Sequence, residues 1–475
     1  MSSDSRFGDR HLIVVDLGFG DAGKGATVDW LCSPEAGLDV AAVVRFNGGA
    51  QAAHNVVAGG RHHTFRQFGS GTFSRVPTLL SRHMLVEPIA LAAEAQALAG
   101  LGVTDPLSLL SVDERALLTT PIHGAANRCR EDTRGASRHG SCGIGIGETA
   151  SYALEHDAPR VADCRRPDVL RRKLIALAEH YRPLLAGSGH RHDPIDDLVE
   201  AYTEFARAVA ILPGDQLGRI ATDGRLVFEG AQGALLDEWR GLHPYTTWST
   251  VEPRNARAML ARIGAPGYVL GVTRAYLTRH GAGPFPTEDP ELAIPEPHNG
   301  TGVYQGAFRV GHLDPILLRY AIEACGGIDG LAVNHLDQID GAPHLERGMP
   351  KDGISGRSGL EAAGGRAAGP GRSAKSGART PMTGVSGQSG AHGEIRTAVG
   401  YLTADGYVDR LECGRWRDLA HQSQLTELLS AAQPVLAELP ADVPGYLEAE
   451  LGAPVVLTAH GPDRADRTIR VPTTA

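Results

Sequence analysis

His11-Leu12-Ile13-Val14-Val15-Asp16-Leu17-Gly18-Phe19-Gly20-Asp21-Ala22-Gly23-Lys24-Gly25 is the stretch that decides the fold. His11–Leu17 is a short apolar, β-branched run of the kind that forms a buried parallel strand. A glycine-rich turn follows, and then Ala26–Cys32, which has helical character. In a strand–turn–helix unit of this kind, glycines let backbone N–H groups approach phosphate oxygens at a helix N-terminus.

Two motifs overlap in Gly18–Gly25. As G-x-G-x-x-G (Gly18, Gly20, Gly23) the loop is a dinucleotide-binding fingerprint. As G-x-x-x-x-G-K (Gly18, Gly23, Lys24) it is a phosphate-binding loop whose usual final Ser or Thr has become Gly25. The dinucleotide reading requires an acidic residue about twenty positions on, at the end of the second strand. That strand ends in Arg45-Phe46-Asn47, with no carboxylate. Lys24 suits phosphate charge and has no place in the dinucleotide fingerprint. Asp21 inside the turn would repel a pyrophosphate unless it handles a proton or a metal. A phosphoryl-transfer site fits all three features.

Working outward, Ala41–Phe46 repeats the pattern, a strand followed by a glycine-rich turn at Asn47–Ala50. Further strand-like runs are Leu226–Phe228, Tyr268–Val272, Gly330–Val333 and Pro454–Leu457. Helical stretches lie between them at Pro88–Leu101, Asp168–His180, Asp197–Ile211 and Leu313–Cys325. This alternation predicts an α/β fold, a large and mostly parallel central sheet flanked by helices. The 475 residues read as one domain interrupted at about 347–393 by a segment rich in Gly, Ser, Ala and Arg. With almost no large apolar residue, that segment cannot offset its ordering entropy and reads as a flexible insertion.

The net charge of −9 gives no electrostatic case for gripping nucleic acid. The six cysteines form no C-x-x-C pair, which argues against a disulfide framework or structural zinc and fits reduced cytosol. The polar N-terminus does not read as a signal peptide, and no apolar run approaches the ~20 residues of a membrane span. The expectation is a soluble, cytoplasmic protein.

VVDLGFGDAGKGATVDWL followed by VVRFNGGAQAAHNVV resembles the adenylosuccinate synthetase family, whose loop reads roughly WGDEGKGK. The similarity continues in order through HGSCGIGIGETASY, FEGAQGALLD, HPYTT, TRHGAGPFPTE, VGHLD, HLDQIDG and HGPDR. It implies the phosphate-loop-like fold of that family and a two-step ligation. A nucleoside triphosphate phosphorylates the 6-oxygen of a purine nucleotide, and aspartate then displaces that phosphate. By position, the resemblance makes Asp21 the base for purine N1–H and a Mg²⁺ ligand, with the Ala53 carbonyl as a second ligand. His54 becomes the acid at the phosphates. Lys24 and the loop around Gly20, Gly23 and Gly25 hold the phosphoryl group.

Gln232 matches a purine-contacting glutamine and Thr247 a threonine that meets the 5′-phosphate. Asp337 matches the aspartate that accepts guanine's N1–H and amino group, which implies GTP as co-substrate, with Gly461–Asp463 completing the base pocket. The family is homodimeric. The partners so implied are a purine nucleotide, GTP and aspartate, with no nucleic acid and no membrane.

Several family positions are altered. The loop glutamate is Ala22 and a following lysine is Ala26. In the substrate phosphate pocket an asparagine is Gln51 and a threonine is Cys142. The arginine that crosses the dimer interface aligns with His156, which loses a bidentate guanidinium. In the aspartate-binding loop, Gly302–Gly311, only Arg309 remains of an arginine cluster. Changes in both recognition sites, with Asp21, Lys24 and His54 kept, point to altered specificity more than lost catalysis. Phage relatives that make 2-aminoadenine nucleotides from guanine nucleotides change the catalytic aspartate. Retention of Asp21 therefore favours inosine monophosphate or a close analogue, giving adenylosuccinate. The alternatives are the same chemistry on another purine or with another amine in a specialised pathway, or a non-catalytic nucleotide-binding paralogue.

Overall fold

The computed structural model describes residues 4–135, 138, 140–214, 216–296, 299, 304, 306–339 and 393–470. The segment read as an insertion, 347–393, lies outside the described residues except for Gly393.

Ten strands form the central sheet: β1 (His11–Asp16), β2 (Val40–Arg45), β3 (Thr78–Leu80), β4 (Leu110–Asp113), β5 (Ala210–Leu212), β6 (Arg225–Gly233), β7 (Gly267–Arg274), β8 (Gly330–Asn334), β9 (Val455–Ala459) and β10 (Arg467–Ile469). Their spatial order is β10-β9-β8-β7-β1-β6-β2-β3-β4-β5. Every neighbouring pair is parallel except β9 with β10. The chain runs outward from β1 through β2 to β5 and returns to insert β6 between β1 and β2. It then crosses to the other side of β1 with β7. That reversal opens a crevice beyond the C-terminal ends of β1 and its neighbours, where ligands bind in open α/β sheets.

The first strand shows why the sheet is covered on both faces. Ile13 and Val15 pack into one apolar cluster with Val44, Phe228 and Leu317, while Leu12 and Val14 pack into another with Val28, Leu31 and Leu270. All four strand residues are essentially without exposed surface. Each contributes about 1.5–3 kcal/mol of apolar burial, so this strand is fixed in register by both faces. The helix Lys24–Leu31 covers one face, and the helices Arg254–Arg262 and Pro315–Ala324 cover the other.

The sequence expectations placed the central strands and shortened their ends: Leu226–Phe228 is the middle of the nine-residue β6. The helix expected over Asp197–Ile211 stops at Ala208, and Ala210–Leu212 is strand β5. Strands β3, β4 and β10 were not expected. Among the described residues, no helix is long and apolar enough to cross a membrane.

Candidate active site

β1 ends in Asp16, which has no exposed surface. Its carboxylate accepts hydrogen bonds from the N–H groups of Gly18 (2.8 Å), Gly20 (3.3 Å) and Ala22 (2.9 Å), and an ion pair from Lys24 Nζ (2.9 Å). The loop is thus wound around a carboxylate of its own strand. Three of the N–H groups expected to face phosphate turn inward, and the helix Lys24–Leu31 starts at the lysine that Asp16 holds. Asn334 at the end of β8 clamps the loop from the far side, donating from Nδ2 to the Ala22 carbonyl at 2.6 Å.

Asp21 stands at the turn's apex with φ +59°, a left-handed conformation that Asp tolerates better than most residues. Its Oδ2 lies 3.4 Å from His280 Nε2. Gln232, where β6 reaches the same loop, is also left-handed (φ +64°), and its buried Oε1 has no partner among the described residues. Such backbone strain clusters at functional sites.

His54 follows the second glycine-rich turn and is 6% exposed. Its Nδ1 lies 2.7 Å from Glu229 Oε1. Glu229 also accepts from the Ser70 N–H (3.0 Å) and the Ser70 hydroxyl. A carboxylate only accepts, so Nδ1 carries the proton and donates, leaving Nε2, which has no partner among the described residues, as the reactive nitrogen. Burial pushes the imidazole below its ordinary pKa, against the pull of Glu229. Burial alone would raise the Glu229 carboxyl, but His54 and Arg45 outweigh it and bring it down to about 2. Gly25 permits this approach, because a Cβ there would lie 2.6 Å from His54 Cβ.

Many of these groups border one cavity of about 1480 Å³. Gly20, Asp21, Gly23, Lys24, Gly25 and His54 line it, with the exposed residue Ala53. Gln51, Cys142, Gln232 and Thr247 line it too, as do Arg130 and Glu148, whose side chains pair at 3.4 Å. Burial pushes the Cys142 thiol up. Asp337 and Gly461 also line the cavity, as does Arg467, whose buried guanidinium is lowered to about 10.

Three expected site residues lie off the cavity wall. Asp463 caps a short turn, accepting from the Ala465 N–H at 3.0 Å. His156 stacks on Tyr152 with ring centroids 4.2 Å apart and packs against His180. Arg309 donates to the carbonyls of Gly281 and Gly283, both at 2.9 Å, and pairs with Glu288 at 2.5 Å. Of the loop that carries it, residues 302, 303 and 305 lie outside the described residues.

Sequence reasoning missed Asp16, Glu229 and His280. Asp16 and Glu229 sit in apolar strands, where a lone acid is the available signal, since a buried carboxylate needs partners. His280 sits inside TRHGAGPFPTE and carries no signal of its own.

The family model described as adenylosuccinate synthetase matches residues 13–349. Among solved structures, the fully ligated adenylosuccinate synthetase from Plasmodium falciparum superimposes with a TM-score of 0.72 at 20% identity, covering 97% of this chain and 100% of that one. Cyanophage S-2L succinoaminodeoxyadenylate synthetase, solved bound to dGMP and to dATP as an energy donor, superimposes with a TM-score of 0.52 at 16% identity, covering 97% and 95%. At these identities the two structures speak for the fold alone.

Proposed function

Because this chain belongs to the adenylosuccinate synthetase family of nucleotide-dependent C–N ligases, we propose that it phosphorylates the 6-oxygen of a purine nucleotide, inosine monophosphate or a close analogue, and replaces that oxygen with the amine of L-aspartate. The observation that carries this reading is the convergence of Asp21, Lys24 and a Glu229-oriented His54 on one cavity.

The residues divide the work by their chemistry. The Asp21 carboxylate removes the proton from purine N1, which releases electron density onto O6. O6 attacks the terminal phosphorus of the triphosphate, and the nucleoside diphosphate leaves. Charge gathering on the transferred group favours a proton on His54 Nε2, which then donates to a phosphoryl oxygen. Lys24 has two N–H donors beyond the one given to Asp16, and these face the same charge. In the second step the neutral aspartate amine adds at C6 and gives up one N–H proton to solvent, the C6–O6 bond breaks and inorganic phosphate leaves carrying O6.

Mg²⁺ fits the residues present. This cation is usually held by one or two carboxylates plus substrate phosphates; the partly exposed Asp21 carboxylate would hold it, with the carbonyl of the exposed residue Ala53 as a second ligand. When bound, it would neutralise charge on the triphosphate. The phosphoryl donor is a purine nucleoside triphosphate with its base against Asp337. GTP is the donor implied by family resemblance. A homodimer and a cytoplasmic setting complete the proposal.

A second reading, the same chemistry with another purine or another amine, is favoured by Arg309. Its guanidinium is committed to two carbonyls and Glu288, so it is not a free cation for a dicarboxylate. One assay matrix separates the two: GTP or ATP, several 6-oxopurine nucleotides, and aspartate or other amines, read by product mass and phosphate release. Turnover of inosine monophosphate with aspartate at ordinary enzyme rates supports the first reading. Turnover only with another purine or amine supports the second. Nucleotide binding without phosphate release from any combination leaves the non-catalytic paralogue.

A further inference from the structure

β8 delivers Asn334 to the loop and, just after it, the short helix Leu336–Gln338, whose Asp337 and Gln338 line the cavity. There the Gln338 side chain folds back on its neighbour, and its Nε2 donates to Asp337 Oδ2 at 2.7 Å. Asp337 Oδ1 is buried and has no hydrogen-bond partner among the described residues. Ile339, Ile395, Leu439 and Pro462 line the same cavity and give it apolar surface, as binding of a flat base requires.

A bare carboxylate presents two acceptors side by side. That edge fits guanine, which offers N1–H and the 2-amino group together, and it repels adenine, whose N1 is a lone pair. Gln338 changes the edge. With Oδ2 capped, the pair presents one acceptor, Asp337 Oδ1, beside one donor, the second hydrogen on Gln338 Nε2. An acceptor next to a donor matches adenine through its 6-amino group and N1. Guanine presents the reverse order, O6 accepting where adenine donates and N1–H donating where adenine accepts, so in that pose it opposes the pair, and its 2-amino group is left unread.

We propose that Gln338 is the specificity-determining residue for the phosphoryl donor, and that the Asp337–Gln338 pair favours adenine over guanine triphosphates. The inference rests on the reading above that a purine triphosphate places its base at Asp337. Restoring the bare carboxylate removes the donor that adenine N1 needs and frees Oδ2 for the 2-amino group of guanine. A site built to hydrogen-bond a group discriminates strongly against an analogue that leaves it unpaired.

The test measures binding of non-hydrolysable ATP, GTP and ITP analogues by calorimetry, and kcat/KM for the triphosphates, in the wild type, Gln338→Leu and Gln338→Ala. In the wild type, the ATP analogue is expected to bind more tightly than the GTP and ITP analogues. In both variants, GTP should gain on ATP by tenfold or more, which is about 1.4 kcal/mol, and should gain on ITP. A wild-type preference for GTP or ITP over ATP overturns the proposal. So does a GTP-to-ATP ratio that moves less than tenfold in both variants, or a failure of all three analogues to bind. If the analogues bind as expected but no combination of purine and amine turns over, the ligase reading fails and the base-recognition inference stands.

Discussion

The Asp16 carboxylate and the Lys24 ammonium lie 2.9 Å apart, with 0% and 4% of their side chains exposed. The same carboxylate holds three loop N–H groups. One acid therefore both winds the phosphate loop and seats the lysine that opens the helix behind it. The pair is electrically neutral before any ligand arrives, so attraction for phosphate falls on the two remaining Lys24 donors and on the first N–H groups of the helix.

Asp16→Ala leaves a buried ammonium and three N–H groups without partners. Breaking a buried pair from one side costs about 3–5 kcal/mol, and urea denaturation of the variant should show a loss of that order. Asp16→Asn keeps an acceptor oxygen for the loop and should lose clearly less. Equal losses in the two variants would mean that the charge of Asp16 contributes nothing.

Gly25→Ala tests the close approach of helix and histidine. The added methyl would meet His54 Cβ at 2.6 Å, a separation that forces the imidazole to move. A displacement of about 1 Å is expected to cost on the order of 10²-fold in kcat, with a circular-dichroism spectrum like that of the wild type. Undiminished kcat would remove His54 from the reacting groups.

Glu229→Gln tests the orientation of His54. The amide no longer restricts Nδ1 to donating, so Nε2 loses its defined role. The expected result is a fall of about 10²-fold in kcat, within the range that general acid–base groups contribute. Nucleotide affinity should change less than threefold. A loss confined to affinity would assign Glu229 to binding instead.

His123 gives a pH signature independent of catalysis. Burial, and then the nearby charge of His180, lower it from the ordinary 6.5 to about 3. Because the folded value lies below the unfolded one, unfolding takes up a proton between those limits. Stability present above pH 6.5 is lost as pH falls towards 3. His123→Gln retains an acceptor for the Thr120 N–H and removes this proton. Its stability should decline less steeply across the window, by up to about 1.4 kcal/mol per pH unit. An unchanged slope would show that His123 titrates alike in both states.

The sheet was legible where strands are buried on both faces. His11–Leu17 and Tyr268–Val272 carry apolar β-branched runs because neither face meets water. Thr78–Leu80 and Ala210–Leu212 have three residues each, too few for any period to register. In the site, Asp21, Lys24 and His54 stand beside glycine-rich turns, which mark close backbone approach in the sequence itself. Glu229 gives no such sign, since its partners His54 and Ser70 are more than 150 positions away in the chain. Arg309 shows the opposite case. Its residue type suggested anion recognition, whereas the hairpin that pairs Leu277–His280 with Phe308–Gly311 turns its donors onto backbone carbonyls.

The central claim is that the purine 6-oxygen accepts the phosphoryl group, and labelled oxygen tests it directly. Inosine monophosphate carrying ¹⁸O at position 6 is incubated with the protein, Mg²⁺, a purine triphosphate and aspartate, and the released phosphate is weighed by mass spectrometry. The account predicts one ¹⁸O in each phosphate released, together with an aspartate-bearing product, and neither with Asp21→Ala. Phosphate free of label, or product formed normally by Asp21→Ala, would contradict it.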